Sequence, residues 1–251
     1  MSKKIIAFDL DDTLCVAKTT IPLEIGALLA ELLNNYQVCI ISGGNLTQFK
    51  LQVIDQLQVS SEQLNKLHLM PTCGTQYYLY DATSQAWVQQ YANNLTDEQK
   101  TRATNALMES AKNLGLWVEK PYGEIIEDRG SQVTYSALGQ QAPSNEKYAW
   151  DPTGAKKLAL RDAVAPLVPE LEARAGGTTS VDVTLKGVDK AYGMRHLIEA
   201  TGVQMNEILF IGDKLEEGGN DYPVKAMGVD SIAVEKWQDT ALVIETLNKV
   251  A

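Results

Sequence analysis

Asp9-Leu10-Asp11-Asp12-Thr13 follows directly on a short apolar run, Ile5-Ile6-Ala7-Phe8. Such a run reads as a strand buried on both faces, and ligands in open α/β sheets bind beyond the carboxyl ends of the strands. Asp9 is then the first residue to emerge at such an end, with Asp11 following on the same side of the loop. Two carboxylates so placed can hold one Mg2+, a hard cation that takes few protein oxygens and keeps waters. The metal keeps Asp9 ionised and available as a nucleophile. Taken alone, the same residues also read as an Asp-rich turn capping a helix.

Two further groups repeat the pattern of an apolar run ending in polar residues, and a lysine joins them. Val38-Cys39-Ile40-Ile41 leads into Ser42-Gly43-Gly44, a hydroxyl with glycines that let backbone N–H groups approach an anion. The helix that follows adds its positive end. Ile208-Leu209-Phe210-Ile211 leads into Gly212-Asp213, a third metal carboxylate, and Gly218-Gly219-Asn220-Asp221 supplies a tight turn with polar groups able to orient the site from behind. Lys190 opens a helix and can neutralise both a phosphate and Asp9. Read together, these are the groups that metal-assisted phosphoryl transfer uses.

The elements that must position them alternate at both ends of the chain. Ile25, Leu28, Leu29, Leu32 and Leu33 repeat at helical spacing and Asn34-Asn35 ends that helix. Phe49, Val53 and Leu57 mark another helix, and Leu67–Met70 a third strand. Lys190–Ala200 and Ala241–Val250 are helical, and Ser231–Val234 is a weaker strand. This alternation implies βαβ units and a parallel sheet. The middle differs. Tyr77–Tyr80 and Trp87-Val88 flank a hairpin turn, and Glu124–Asp128 and Ser131–Ala137 flank another. Thr96-x-x-Gln99 is a capping box for a helix running to about Leu114, and a further helix spans about Lys156–Val164. Thr179–Thr184 is strand-like. The expected fold is α/β: a Rossmann-like core of residues 1–81 and 186–251 with a parallel sheet, and an inserted α+β unit, residues 82–185, with an antiparallel sheet.

Composition excludes several classes. With 22 Lys+Arg against 32 Asp+Glu in 251 residues, the net charge of −10 argues against nucleic acid or an anionic membrane surface as partner. The three cysteines have no zinc-ligand spacing, and two histidines are too few for a multi-histidine metal centre. No window approaches a membrane span. A reduced, cytoplasmic chain is expected. Trp87, Trp117, Trp150, Trp237 and His196 read as packing residues, and Glu216-Glu217 as a solvated loop.

The four groups in this order resemble the motifs of the haloacid dehalogenase (HAD) superfamily: Asp9-x-Asp11-x-Thr13, Ser42, Lys190 and Gly212-Asp213 with Asn220-Asp221. The resemblance implies that Asp9 attacks phosphorus and becomes an aspartyl phosphate. It implies that Asp11 protonates the leaving oxygen and then activates water or a hydroxyl. Ser42, Gly43 and Lys190 would bind the phosphoryl group. Mg2+ would be held by Asp9, the Asp11 backbone carbonyl and Asp213. The insertion between Ser42 and Lys190 resembles the C2b (IIB) cap.

Within that subfamily the chain is most similar to eukaryotic-type phosphomannomutase. The long Gly-Gly-containing gap from Asp213 to Asn220, the run Ile126-Glu127-Asp128-Arg129-Gly130 and the segment Gly176-Gly177 to Ser180-Val181-Asp182-Val183 carry that likeness. It implies that Arg129 meets a distal phosphate and Asp182 a sugar ring, with a homodimer through the cap. Where relatives carry further clamping arginines, this chain has Gln140 and Lys147. A guanidinium fork is lost at both. A weaker clamp on a bisphosphate intermediate favours attack by water. The expectation is therefore a Mg2+-dependent phosphatase acting on a small phosphorylated metabolite, a phosphosugar. The alternatives are phosphomannomutase activity and a catalytically silent binding module.

Overall fold

The computed structural model describes residues 2–250. In chain order the strands are β1 (Ile5–Phe8), β2 (Gln37–Ile41), β3 (Leu67–Met70), β4 (Gln76–Asp81), β5 (Ala86–Ala92), β6 (Ile126–Asp128), β7 (Gln132–Ser136), β8 (Leu171–Ala175), β9 (Ser180–Leu185), β10 (Ile208–Gly212) and β11 (Asp230–Ala233). The helices are α1 (Leu23–Asn35), α2 (Leu46–Gln52), α3 (Ser61–Leu64), α4 (Pro71–Gly74), α5 (Asp97–Asn113), α6 (Ser144–Trp150), α7 (Ala155–Val164), α8 (Lys190–Thr201), α9 (Tyr222–Ala226) and α10 (Trp237–Val250). Two compact units result, one taking the residues up to Ala92 and those from Asp189 onward, the other Asn93–Val188.

The first unit is built on one sheet of order β11-β10-β1-β2-β3-β4-β5. Strands β11 to β3 run parallel, and β4 and β5 continue the sheet antiparallel. Every residue of β1 is buried because both sheet faces are covered. Ile6 and Phe8 face a core shared with α1, α2 and α10, while Ile5 and Ala7 face one shared with α8 and α9. This period-2 division is what a strand between two helical layers requires.

The second unit carries a four-stranded antiparallel sheet of order β6-β7-β9-β8. Val133, Tyr135, Val181 and Val183 alternate onto one face, where they meet Ala103, Leu107 and Ala111 of α5 and Leu160 and Val164 of α7. Thr96 accepts from Gln99 N while Gln99 returns to Thr96 N, and the left-handed Gly115 follows the helix end, as the capping signals predict.

The structure corrects the sequence reading in three places. The expected boundary at 81/82 falls inside the β4–β5 hairpin, yet β5 pairs with β4 along its length and belongs to the first sheet. The chain leaves that unit only after Ala92 and returns at Asp189. Phe49, Val53 and Leu57 do not share one helix: Val53 leaves the helical region at φ −123°, and a separate 3-10 turn, Ile54–Gln56, follows. Strand β8 and helix α6 were not expected, and α10 begins at Trp237.

Candidate active site

Strands β10 and β2 flank β1, with Phe8 level with Ile211 on one side and Ile40 on the other. From β1 the chain order proceeds through β2 and β3 in one direction and β10 and β11 in the other. The carboxyl ends of β1 and β10 thus form the point where strand order reverses, the place where α/β sheets bind ligands. Asp9 N donates to Ile211 O at 3.0 Å, so Asp9 and Gly212-Asp213 emerge side by side.

Three carboxylates converge there. Oxygens of Asp9, Asp213 and Asp221 lie within 4.8 Å of one another. Lys190 Nζ lies 2.5 Å from Asp9 Oδ1 and 2.5 Å from Asp221 Oδ1. Asp9, Asp221 and Lys190 are buried, Lys190 only 1% exposed, and Asp213 is half-buried. Burial pushes the Asp9 carboxyl up, Lys190 pulls it down, and Asp221 and Asp213 push it up again, leaving it well above the usual carboxylate range. Burial disfavours the Lys190 ammonium, but Asp221 and Asp9 outweigh that and hold it charged. Asp213 also sits above its ordinary range, chiefly through burial, although Lys214 Nζ pairs with it at 3.0 Å.

Two lysines thus face three acids, and buried negative charge in excess is costly. The donor set fits a hard divalent cation with oxygen ligands such as Mg2+. Asp221 is tied elsewhere through both oxygens: Oδ1 meets Lys190 and Oδ2 accepts from Lys214 N at 3.0 Å. Its carboxylate thus holds the lysine and the loop while lying close to the Asp9 and Asp213 oxygens. That loop needs its glycine: a Cβ on Gly219 would meet Lys214 O at 2.1 Å. Asn220 is exposed.

The carboxylate of Asp11 is not in this cluster. Lys18 Nζ holds its Oδ2 at 2.8 Å, and Lys18 N and Gln52 Nε2 donate to its Oδ1 at 2.8 and 3.1 Å. The expectation that the Asp9 and Asp11 carboxylates share a metal is thereby corrected: the Asp11 carboxylate is turned to Lys18 and Gln52 instead. Burial pushes the Asp11 carboxyl up, but Lys18 and Gln52 outweigh it and the group lies below its ordinary value. Lys18 and Gln52 escaped sequence reasoning; both sit outside the motifs, and Gln52 lies 41 positions from its partner.

Ser42 is buried at the end of β2. The turn Ser42-Gly43-Gly44 is braced by the next strand end: Thr72 N donates to Gly44 O and Cys73 N to Ser42 O, both at 2.9 Å. Thr72 and Cys73 adopt φ 50° and 56°, left-handed values rare for such side chains. Asn45 caps α2 reciprocally with Gln48.

In the second unit, Arg129 follows β6, and its Nε and Nη2 both hold Glu127 Oε2, at 2.8 and 2.7 Å. Asp182 accepts from Thr134 Oγ1 at 2.8 Å across the β7–β9 pair. Gln140 Nε2 donates to Ser136 Oγ at 2.9 Å, and the buried Lys147 donates to Gln140 O at 2.8 Å. Thr134, Ser136, Ser180 and Asp182 alternate with the core residues, so this sheet has one apolar and one polar face. Arg174, also missed from sequence, lies level with Asp182 on β8 and pairs with Glu172 at 2.8 Å.

The fold and the strand-end acids with their lysine define a HAD-type protein. A haloacid dehalogenase-like hydrolase from Bacteroides thetaiotaomicron superposes with a TM-score of 0.62 at 16% identity, covering 98% of this chain and all of that one. The profile of the eukaryotic phosphomannomutase family matches residues 25–249, and the chain belongs to that family. Among curated relatives, phosphomannomutase of Encephalitozoon cuniculi is 26% identical over 245 residues, covering 95% of this chain and 91% of its own. Phosphomannomutase of Saccharomyces cerevisiae is 28% identical over 230 residues, covering 88% and 84%. Among the described residues no helix is long and apolar enough to cross a membrane.

Proposed function

We propose that this chain is a Mg2+-dependent phosphoryl-transfer enzyme for a small phosphosugar, and that its net reaction is interconversion of mannose 6-phosphate and mannose 1-phosphate. The observation that carries the chemistry is the buried Lys190 ammonium joined to Asp9 and Asp221. Membership of the phosphomannomutase family carries the choice of substrate.

Asp9 is the nucleophile. Its Oδ attacks phosphorus as the bond to the sugar oxygen breaks, and Asp11 delivers the proton that oxygen needs. Lys190, the Ser42 hydroxyl and the Gly43 backbone N–H hold the phosphoryl oxygens, so catalysis is mostly positioning and charge neutralisation. Mg2+ would be held by Asp9, Asp213 and the Asp11 backbone carbonyl, where it supplies positive charge to the phosphoryl group. In the second half Asp11 takes a proton from the attacking hydroxyl and Asp9 is released. Arg129, Gln140, Lys147 and Asp182 are assigned to the non-reacting end of the substrate, and a homodimer through the second unit is part of the same reading.

Net hydrolysis is the second reading, and one observation favours it. Gln140 and Lys147, which by resemblance take the places of clamping arginines, hydrogen-bond within their own unit. A weakly held bisphosphate leaves before it reacts again, and water then clears Asp9.

One assay separates the two: mannose 6-phosphate with Mg2+, scored at once for mannose 1-phosphate and inorganic phosphate. Isomerisation that rises with added hexose bisphosphate supports the mutase. Steady phosphate release indifferent to the bisphosphate replaces it with the hydrolase. Asp9→Asn should abolish both, and turnover surviving in that variant would sink the nucleophile assignment.

A further inference from the structure

We propose that Lys18 is the positioning residue of Asp11, fixing its carboxylate for proton transfer to the departing sugar oxygen. The inference rests on the reading of Asp11 as acid and base.

Lys18 commits both its backbone and its side chain to one carboxylate seven positions earlier. Its N–H donates to Asp11 Oδ1 and its ammonium meets Oδ2, each at 2.8 Å. To do this Lys18 takes φ 62°, a left-handed backbone that a lysine seldom adopts. The loop is held to that shape from outside. Gln52, buried at the end of α2, donates to Asp11 Oδ1 at 3.1 Å and to Thr19 O at 2.9 Å, and accepts from Ile21 N at 2.8 Å. Asp12 Oδ1 accepts from Ala17 N at 3.1 Å.

The ion pair by itself is a weak reason for a strained backbone. The Lys18 and Asp11 side chains remain 25% and 22% exposed, and partly solvated ion pairs contribute little, whereas strained backbone costs free energy. What the loop produces is a carboxylate held in one direction by donors on both oxygens. Proton transfer in a transition state demands that kind of placement.

Leaving groups supply the test. A p-nitrophenyl phosphate releases a stable phenolate and needs no proton, whereas a hexose 6-phosphate releases an alkoxide and does. The parameter kcat/KM covers only the steps up to phosphorylation of Asp9, so later attack by water does not enter. Wild type, Lys18→Met and Lys18→Arg are compared on both substrates with saturating Mg2+. General acids contribute on the order of 10²–10⁴-fold, so Lys18→Met should lower the hexose-to-aryl ratio of kcat/KM by about tenfold or more. Lys18→Arg should recover most of it. Partial unfolding scales both substrates alike and cancels in the ratio. A ratio that holds or rises in Lys18→Met, or falls as far in Lys18→Arg, overturns the role of Lys18 alone. Wild type inert toward both substrates overturns the reading of Asp9 and Asp11, and this inference with it.

Discussion

Lys190 is the residue whose loss should be felt most widely. Lys190→Met leaves Asp9 and Asp221 facing each other and Asp213 without their buried cation, and breaking such a pair costs about 3–5 kcal/mol. The expected result is a lower metal-free melting temperature together with loss of turnover by at least about a hundredfold. A variant that melts like wild type would show that the carboxylates do not depend on it. His68 gives a prediction in a different currency. It is buried between Tyr77 OH at 2.7 Å and Gln37 Oε1 at 2.8 Å, and burial lowers it to about 4. Gln37 Oε1 can only accept, so Nε2–H donates to it and Nδ1 accepts from Tyr77. The unfolded chain, with an ordinary histidine near 6.5, binds the proton first, so stability falls as pH drops from about 6.5 toward 4. The loss is on the order of 3 kcal/mol by the lower limit, and His68→Gln should flatten that part of a denaturation-versus-pH curve. Asp9, Ser42, Lys190 and Asp213 were legible in sequence because each ends an apolar strand or opens a helix. Lys18 and Gln52 were not, since a loop lysine and a helix glutamine carry no signal until folding brings them to Asp11.

Between elements, α4 and α8 approach each other closely. A Cβ on Gly193 would meet Ile41 Cδ1 at 2.4 Å and Cys73 O at 2.9 Å, and one on Gly74 would meet Gly193 Cα at 2.4 Å. Lys190 lies one turn before Gly193, so this contact sets how near the lysine stands to the strand ends. Gly193→Ala must push α8 outward, costing about 1–3 kcal/mol and carrying Lys190 with it. Gly44→Ala, by contrast, meets only the flexible end of Gln48 at 2.6 Å. Activity should fall further than stability alone explains in Gly193→Ala, and a variant with normal kcat would refute the coupling. The elements that sequence reasoning missed have a common cause. Strand β8, Leu-Glu-Ala-Arg-Ala, has no β-branched residue, and its pairing with β9 supplies what propensity does not. Helix α6 is a short segment behind Pro143. The β4–β5 hairpin was recognised, but the expected boundary put β5 in the inserted unit, and only its pairing with β4, itself paired with β3, assigns it to the first sheet.

At the scale of the molecule, the second unit has its own sheet and its own apolar core. Residues 93–188 expressed alone should unfold cooperatively, with the slowest amide exchange in β7 and β9, the two central strands. A non-cooperative melt would show that this core does not suffice by itself. The pairing of Ile5 with Ile208 has a consequence for how the protein is made. Strand β1 leaves the ribosome about 200 residues ahead of β10, an interval of roughly 10–40 s at ordinary rates of synthesis. During that interval an apolar strand edge is bare, and the second unit, Asn93–Val188, is completed only near its end. Asp9 spends nearly the same interval without Lys190 or Asp213, so the acid–lysine cluster cannot assemble until those residues arrive. A chaperone that binds the growing chain would find its target in the first strand.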